Sequence, residues 1–194
     1  MSQQQTSRPS TNLPEAGNWT IDAVHSFVTF SVEHFTLALA RGLATGPTGA
    51  VTITPELSDS SVRASIDVST IRTGNPMRDE KVQGPDVLDM EKYPTIDYAS
   101  SGLKDLGGGK YTVEGNLTLH GITRPVPLSL SFGGVIVDTW GKERLGVTAT
   151  GTIDRDEFGA GEWAHAPLAS GGFMVPSKVI VTLDIEATRD VPEG

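Results

Sequence analysis

The chain contains no cysteine, which excludes disulfides, thiolate catalysis and cysteine-based zinc or iron–sulfur sites. It has no basic excess: 15 Lys and Arg stand against 24 Asp and Glu, for a net charge of −9. A nucleic-acid binder would carry a basic patch, so that class is set aside. No stretch approaches the roughly 20 consecutive apolar residues of a membrane-spanning helix. The opening MSQQQTSRPSTNLPEAG lacks the apolar core of about 7–15 residues that a secretory signal needs. From it we expect a disordered tail over residues 1–17 and a cytoplasmic protein. Long helical periodicity is missing as well.

What the chain has is alternation. Its 22 glycines and 12 prolines punctuate short apolar runs, the pattern of an all-β protein with many turns. In HSFVTFSVEH, Val28, Phe30 and Val32 share one strand face, and Phe35 to Leu39 reads as a short helical turn after it. Leu43, the Gly46-Pro47 turn and Ala50 to Ile53 read as a bent strand. Ser61 to Val68 alternates with Val62, Ala64, Ile66 and Val68 together. Further strands are read over 95–101, 110–119, 126–137, 145–153 and 179–187, with Leu128, Leu130 and Phe132 in step and Gly107-Gly108-Gly109 as a hairpin loop. Pro125 and Pro127 mark an edge or a bulge. About eight strands joined mostly by short turns define an antiparallel barrel or sandwich in up-and-down order, occupying residues 18–190 as one domain.

Two connections break this pattern. Residues 69–98 contain two helix starts, the first with Asn75 as N-cap and Pro76 at the first helical position, the second after Gly84-Pro85. Met77, Val82, Val87, Leu88 and Met90 make this connection apolar, as for a lid or plug. Residues 155–177 carry Phe158, Trp163, Leu168, Phe173 and Met174 among glycines, the composition of a flap over an apolar surface. A barrel of about eight strands can either fill with side chains or hold one small ligand, and periodicity alone does not separate these cases.

Catalytic and metal motifs are sparse. His25, His34, His120 and His165 show no metal-ligand spacing, and no metal site is expected. Ser170 in ASGG lies outside a nucleophile-elbow context, and Asp154, Asp156 and Glu157 lack the calcium-loop pattern, which leaves a solvated acidic turn. The Arg78-Asp79 pair reads equally as an anchor for a polar head group or as a surface ion pair.

The segment Trp19-x-Ile21-Asp22-x-x-His25-Ser26-x-Val28-x-Phe30-x-Val32-x-His34 resembles the opening of the YceI-like, polyisoprenoid-binding family. The resemblance continues through Ile66, Ser69, Thr73, Arg78-Asp79, Tyr93-Pro94, Gly115-x-Leu117-x-Leu119-x-Gly121-x-Thr123 and Arg155-x-x-Phe158-Gly159, covering most of 18–188. It implies a lipocalin-like barrel with an elongated apolar cavity for an isoprenoid or similar amphiphilic lipid. Members are often periplasmic or secreted, and they commonly have histidine and leucine where this chain has Glu80-Lys81.

The expectation is a non-catalytic lipid binder or carrier with no cofactor beyond its lipid, a polyisoprenoid or isoprenoid quinone. The residues expected around the chain are Phe30, Val32, Leu43, Ile66, Val68, Leu128, Leu130 and Phe132 from strands. Met77, Val82, Leu88 and Phe158 join them from the connections, with Arg78 at the head group. Two rivals stand beside this reading: an enzyme using His34 or Asp67 at the cavity base, and a structural barrel with a filled core. A homodimer is left open.

Overall fold

A computed structural model of the chain describes residues 13–190. It contains eleven strands and one α-helix: β1 (Gly17–Ile21), β2 (Phe27–His34), β3 (Ala38–Thr45), β4 (Thr48–Ile53), β5 (Ser61–Asp67), α1 (Pro76–Gln83), β6 (Thr95–Gly107), β7 (Lys110–Leu119), β8 (Ile122–Pro125), β9 (Leu128–Val137), β10 (Glu143–Asp154) and β11 (Lys178–Arg189). Every pairing between them is antiparallel.

These segments make an eight-walled cylinder, because three walls are bent strands. β1 and β2 both pair with β11, at Trp19↔Arg189 and Val28↔Leu183, and form one wall interrupted at 22–26. β3 and β4 pair with β2 and β1 in turn and bend at Gly46-Pro47, as the alternation implied. β8 and β9 both pair with β7, at Thr118↔Thr123 and Val113↔Leu128, and bend at Pro125 to Pro127. Neighbouring walls follow chain order, and the β1–β11 ladder closes the ring.

The interruption at 22–26 is built from side chains that replace missing ladder bonds. The Ser26 hydroxyl is fully buried, donates to the Glu186 carbonyl at 3.2 Å and accepts from the Glu186 amide at 3.0 Å. Asp22 accepts from the Val24 amide at 3.0 Å, and its other oxygen lies 2.9 Å from His25 Nδ1. Arg144 reaches across from β10, donating to Asp22 and, at 2.8 Å, to Asp138. Its guanidinium, followed by His25, holds the Asp22 carboxyl well below the usual carboxylate range. Asp22, His25 and Glu186 bring ligand-type atoms within 4.8 Å of one another. Arg144 already bonds both acids of that trio, so the cluster is an ion-pair network.

The structure corrects several expected elements. Phe35 to Leu39 is not helical: Leu37 N–H bonds to the His34 carbonyl at 3.1 Å, with Phe35 and Thr36 both at positive φ. That is a hairpin turn over residues 35–37, and Ala38 already belongs to β3. The central connection forms one helix. Asn75 does cap it, accepting from Arg78 N–H, and Gly84 ends it, but only turns follow through Lys92. Of the expected tail 1–17, residues 1–12 lie outside the described residues. Gly17 starts β1, Glu15 pairs with Arg189 at 2.7 Å, and the Glu15 carbonyl accepts from the Trp19 indole at 3.4 Å. No described helix is long and apolar enough to cross a membrane.

Trp19, completely buried, packs with Leu145 and Ala187 near the lower end, where β1 begins. Phe158, also completely buried, packs with Val68, Ile71, Leu88 and Ala160 near the upper end, where both long connections lie. Truncating it leaves a cavity that the ladder cannot collapse. Phe158→Ala is expected to destabilise the fold by about 3–5 kcal/mol in urea unfolding, while Met77→Ala, at a side chain 81% exposed, stays within about 0.5 kcal/mol. Equal effects would refute this assignment. A second outcome concerns pH. Because the folded-state Asp22 carboxyl is depressed, its contribution is present above the unfolded carboxylate range and is lost as pH falls below about 4. Asp22→Asn should therefore cost about 1 kcal/mol at neutral pH, with the difference from wild type shrinking in unfolding curves as pH is lowered from about 4 towards about 2.

Candidate functional site

The strands' inward faces do not meet in the middle of the cylinder. They enclose a cavity of about 610 Å3 running from Leu13, Pro14 and Leu57 at the lower end to Arg78, Lys81 and Trp163 at the upper end. That size lies within the range of pockets that bury a small ligand, roughly 300–1,000 Å3. A barrel filled by its own side chains is thereby contradicted.

Register explains why space remains. Phe30 on β2 pairs with Gly42 on β3, and a Cβ at Gly42 would lie 2.2 Å from the Phe30 ring. The ring therefore lies along the wall over the glycine. Tyr98 does the same over Gly115, where an added Cβ would lie 2.4 Å from its hydroxyl. That hydroxyl donates to the carbonyl of Val126 at 3.1 Å and approaches that of Val113 at 3.3 Å. Burial, with Glu114 nearby, pushes the Tyr98 phenol up to about 12, and burial raises Tyr111 as well. Both stay neutral at ordinary pH.

The charged lining residues all come from the upper end: Glu33, His34, Arg78, Lys81 and Arg155. The cavity is thus apolar along its length and charged at one rim. Two lids build that rim. In the first, Thr73 fixes the start of α1. Asp79 accepts from the Thr73 amide at 2.6 Å and its hydroxyl at 2.5 Å, while Arg78 donates to the same hydroxyl at 2.9 Å and to the Thr73 carbonyl at 2.7 Å. The two charged residues meet at Thr73 instead of forming a simple surface ion pair. The Thr73 hydroxyl, with help from the neighbouring cations, lowers the Asp79 carboxyl. Gln83 then ties α1 to the Ile71 carbonyl at 3.1 Å.

The second lid, 155–177, turns on a buried guanidinium. Arg155 donates to the carbonyls of Ala160 at 2.8 Å, Gly161, and Val175 at 2.8 Å. These are backbone groups of a loop with little ladder of its own, and a buried carbonyl without a donor is costly. Burial lowers the Arg155 guanidinium from its ordinary value, and Asp156 lies 3.6 Å away as counter-charge. His165 Nδ1 sits 2.5 Å from Asp156, and its ring packs on Phe173 at 4.1 Å. The two lids touch where Lys81 Nζ lies 4.8 Å from the centre of the Trp163 ring. Lys81 also pairs with Asp86.

Of the residues expected around a chain, Phe30, Val32, Ile66, Val82, Leu88, Leu128, Leu130 and Phe132 face the cavity, with Arg78 at its rim. Four do not. Leu43 exchanges backbone bonds with Arg72 at 2.8 Å outside the lining, and Val68 is buried in a one-turn helix after β5 ends at Asp67. Met77 points to solvent, and Phe158 is sealed in the core behind the lid. Sequence reasoning missed Trp163, Lys81, Met174 and Val175 as lining; aromatics in a glycine-rich loop were the available signal. Neither suspect for an enzymatic role sits at a cavity base. His34 lies at the rim against Phe35, and Asp67 is exposed and accepts from the Ser69 amide at 2.8 Å. His120 is a tether, its Nδ1 3.1 Å from the Phe158 carbonyl.

Comparisons with known proteins agree with this geometry. A UPF0312 protein of Vibrio cholerae is 30% identical over 147 residues, covering 74% of this chain and 78% of its own length. One from Pseudomonas putida is 33% identical over 138 residues, covering 70% and 71%. The solved structure of BcnA from Burkholderia cenocepacia superposes with a TM-score of 0.74 at 23% identity, covering 87% of this chain and 99% of that one. A polyisoprenoid binding domain from Saccharophagus degradans, implicated in plant cell wall breakdown, superposes with a TM-score of 0.68 at 16% identity, covering 91% and 100%. The model of the YceI-like domain matches residues 19–187, from within β1 to within β11, and the chain belongs to that family.

Proposed function

We propose that the barrel binds a single-chain amphiphilic lipid, a polyisoprenoid or isoprenoid quinone, with its apolar tail in the cavity and its polar end at the upper rim. The observation that carries this reading is the distribution of charge along the lining. All charged lining side chains stand at one end, and the remaining length is bounded almost wholly by aliphatic and aromatic groups. Apolar burial contributes about 25 cal/mol per Å2 of surface removed from water, so a long hydrocarbon tail needs no specific polar partner along its length. The Saccharophagus domain of the same fold is a polyisoprenoid binder by name, which supports an isoprenoid as the first ligand to test.

Arg78 is the proposed contact for the polar end. Its guanidinium is oriented by Thr73, at 2.9 and 2.7 Å, while its side chain borders the cavity. This is a binding or carrier role without chemistry on the ligand.

Native mass spectrometry of the freshly purified protein, followed by organic extraction, should show one bound lipid or stoichiometric uptake of added isoprenoid. Finding neither would remove the proposal. The glycine that lets Tyr98 lie flat supplies a sharper check. In Gly115→Ala the added Cβ displaces the Tyr98 ring and frees its hydroxyl from two carbonyls. Isoprenoid affinity should fall about tenfold or more, about 1.4 kcal/mol, while circular dichroism still reports an intact barrel. Unchanged affinity would show that the tail does not run past Tyr98.

A further inference from the structure

We propose that the charge-free tips of the β2–β3 hairpin and the 155–177 lid together form a docking surface for a lipid bilayer. The inference rests on the lipid-binding reading for its purpose, and on separate observations for its place.

The first observation is composition. At the chain's average of 20% charged residues, the stretches 163–177 and 35–40, fifteen and six residues long, would carry about four charged groups. They carry no Asp, Glu, Lys or Arg. The second is contact between the two tips. Phe35 N–H bonds to the Met174 carbonyl at 2.8 Å, and Gly172 packs against the Thr36 side chain. One continuous surface results, and its large side chains face outward: Leu37 is 86% exposed, with Phe35, Leu39, Trp163 and Phe173 also exposed. Phe35 and Thr36 hold positive φ, uncommon for any side chain and unfavourable for a β-branched one. The tip presents its apolar groups to water in a backbone conformation that itself costs free energy, a combination that marks interaction sites.

The third observation is continuity with the cavity. Trp163 is both exposed on this surface and part of the cavity lining, and Met174 lines the cavity from the same loop. Beside them the cylinder wall is incomplete. Beyond Leu43, which bridges to Arg72, the outer edge of β3 has no ladder partner among the described residues. A long apolar chain has negligible solubility in water, so it is available to a protein chiefly where it partitions, in a bilayer. A tip that buries Leu37 and Phe173 at the acyl boundary, with Trp163 at head-group depth, would set the rim against that source. With a net charge of −9 the attraction is apolar, not electrostatic.

Flotation of the full chain with phosphatidylcholine vesicles tests the surface. The wild type should float with the vesicles, and its partition should be insensitive to salt. Leu37→Glu should reduce partition about tenfold or more, with Phe173→Ser acting in the same direction and thermal unfolding of Leu37→Glu unchanged. Uptake of a fluorescent isoprenoid from detergent micelles should be equal in wild type and Leu37→Glu, whereas uptake from vesicles should slow by the same factor as partition. A wild type that does not float, or a Leu37→Glu variant that floats equally well, overturns the proposal. So does sedimentation velocity showing that Leu37→Glu splits a dimer while flotation is unaffected, since a second copy would then occupy the tip. If no isoprenoid enters from micelles but flotation still depends on Leu37, the docking surface stands and the lipid-binding reading falls.

Discussion

The upper end of this barrel depends on the side chain of Arg155. The loop it organises has many glycines and few backbone partners, so its carbonyls need donors from elsewhere. One guanidinium supplies Ala160, Gly161 and Val175 together, drawing the two arms of the loop into one rigid turn. With the turn fixed, Phe158 is held in the core and Trp163, Met174 and Val175 are held over the cavity. A lysine could not reproduce this, because its ammonium lacks the planar fork that addresses several acceptors at once.

A second constraint keeps the interior open. Barrels of this girth commonly fill with their own side chains, and two rings here could do so. Phe30 and Tyr98 instead lie against Gly42 and Gly115, where the opposing backbone leaves them room. A glycine beside each ring, directly opposite Phe30 and diagonal to Tyr98, thus sets the ligand space. Tyr98 is also placed so that its hydroxyl bonds to the wall.

Much of the cylinder was legible in the sequence. β7 matches its alternation residue for residue from Lys110 to Leu119, and Asn75-Pro76 marked the start of α1 correctly. What escaped was whatever depends on long-range pairing. Nothing local in Gly17 to Ile21 says that it closes the ring against β11. Val68 continued the alternation of β5, yet Asp67 caps a one-turn helix there and rotates Val68 into the core. Leu43 was lost because the inward positions of β3 are Ala40 and Ala44, which leaves Leu43 opposite Thr29 on the outer face, and Met77 because its side chain on the capped helix faces outward. Arg78-Asp79 could be recognised as a motif, but its shared partner Thr73 is visible only in three dimensions. Inward-facing residues follow from periodicity; whether they meet in the middle does not.

The ladder between β1 and β11 has a further consequence, for the order of assembly. All other walls join neighbours in the chain, so a curved sheet can form as the residues emerge. Closure alone joins partners far apart, as in the Thr20–Asp190 bond that spans 170 positions. Contacts of such separation form late and set the pace of folding. Until β11 arrives, the apolar inner face is an open trough and not a tube. An apolar chain can then be laid in sideways, and the last strand would fold shut around cargo already aboard.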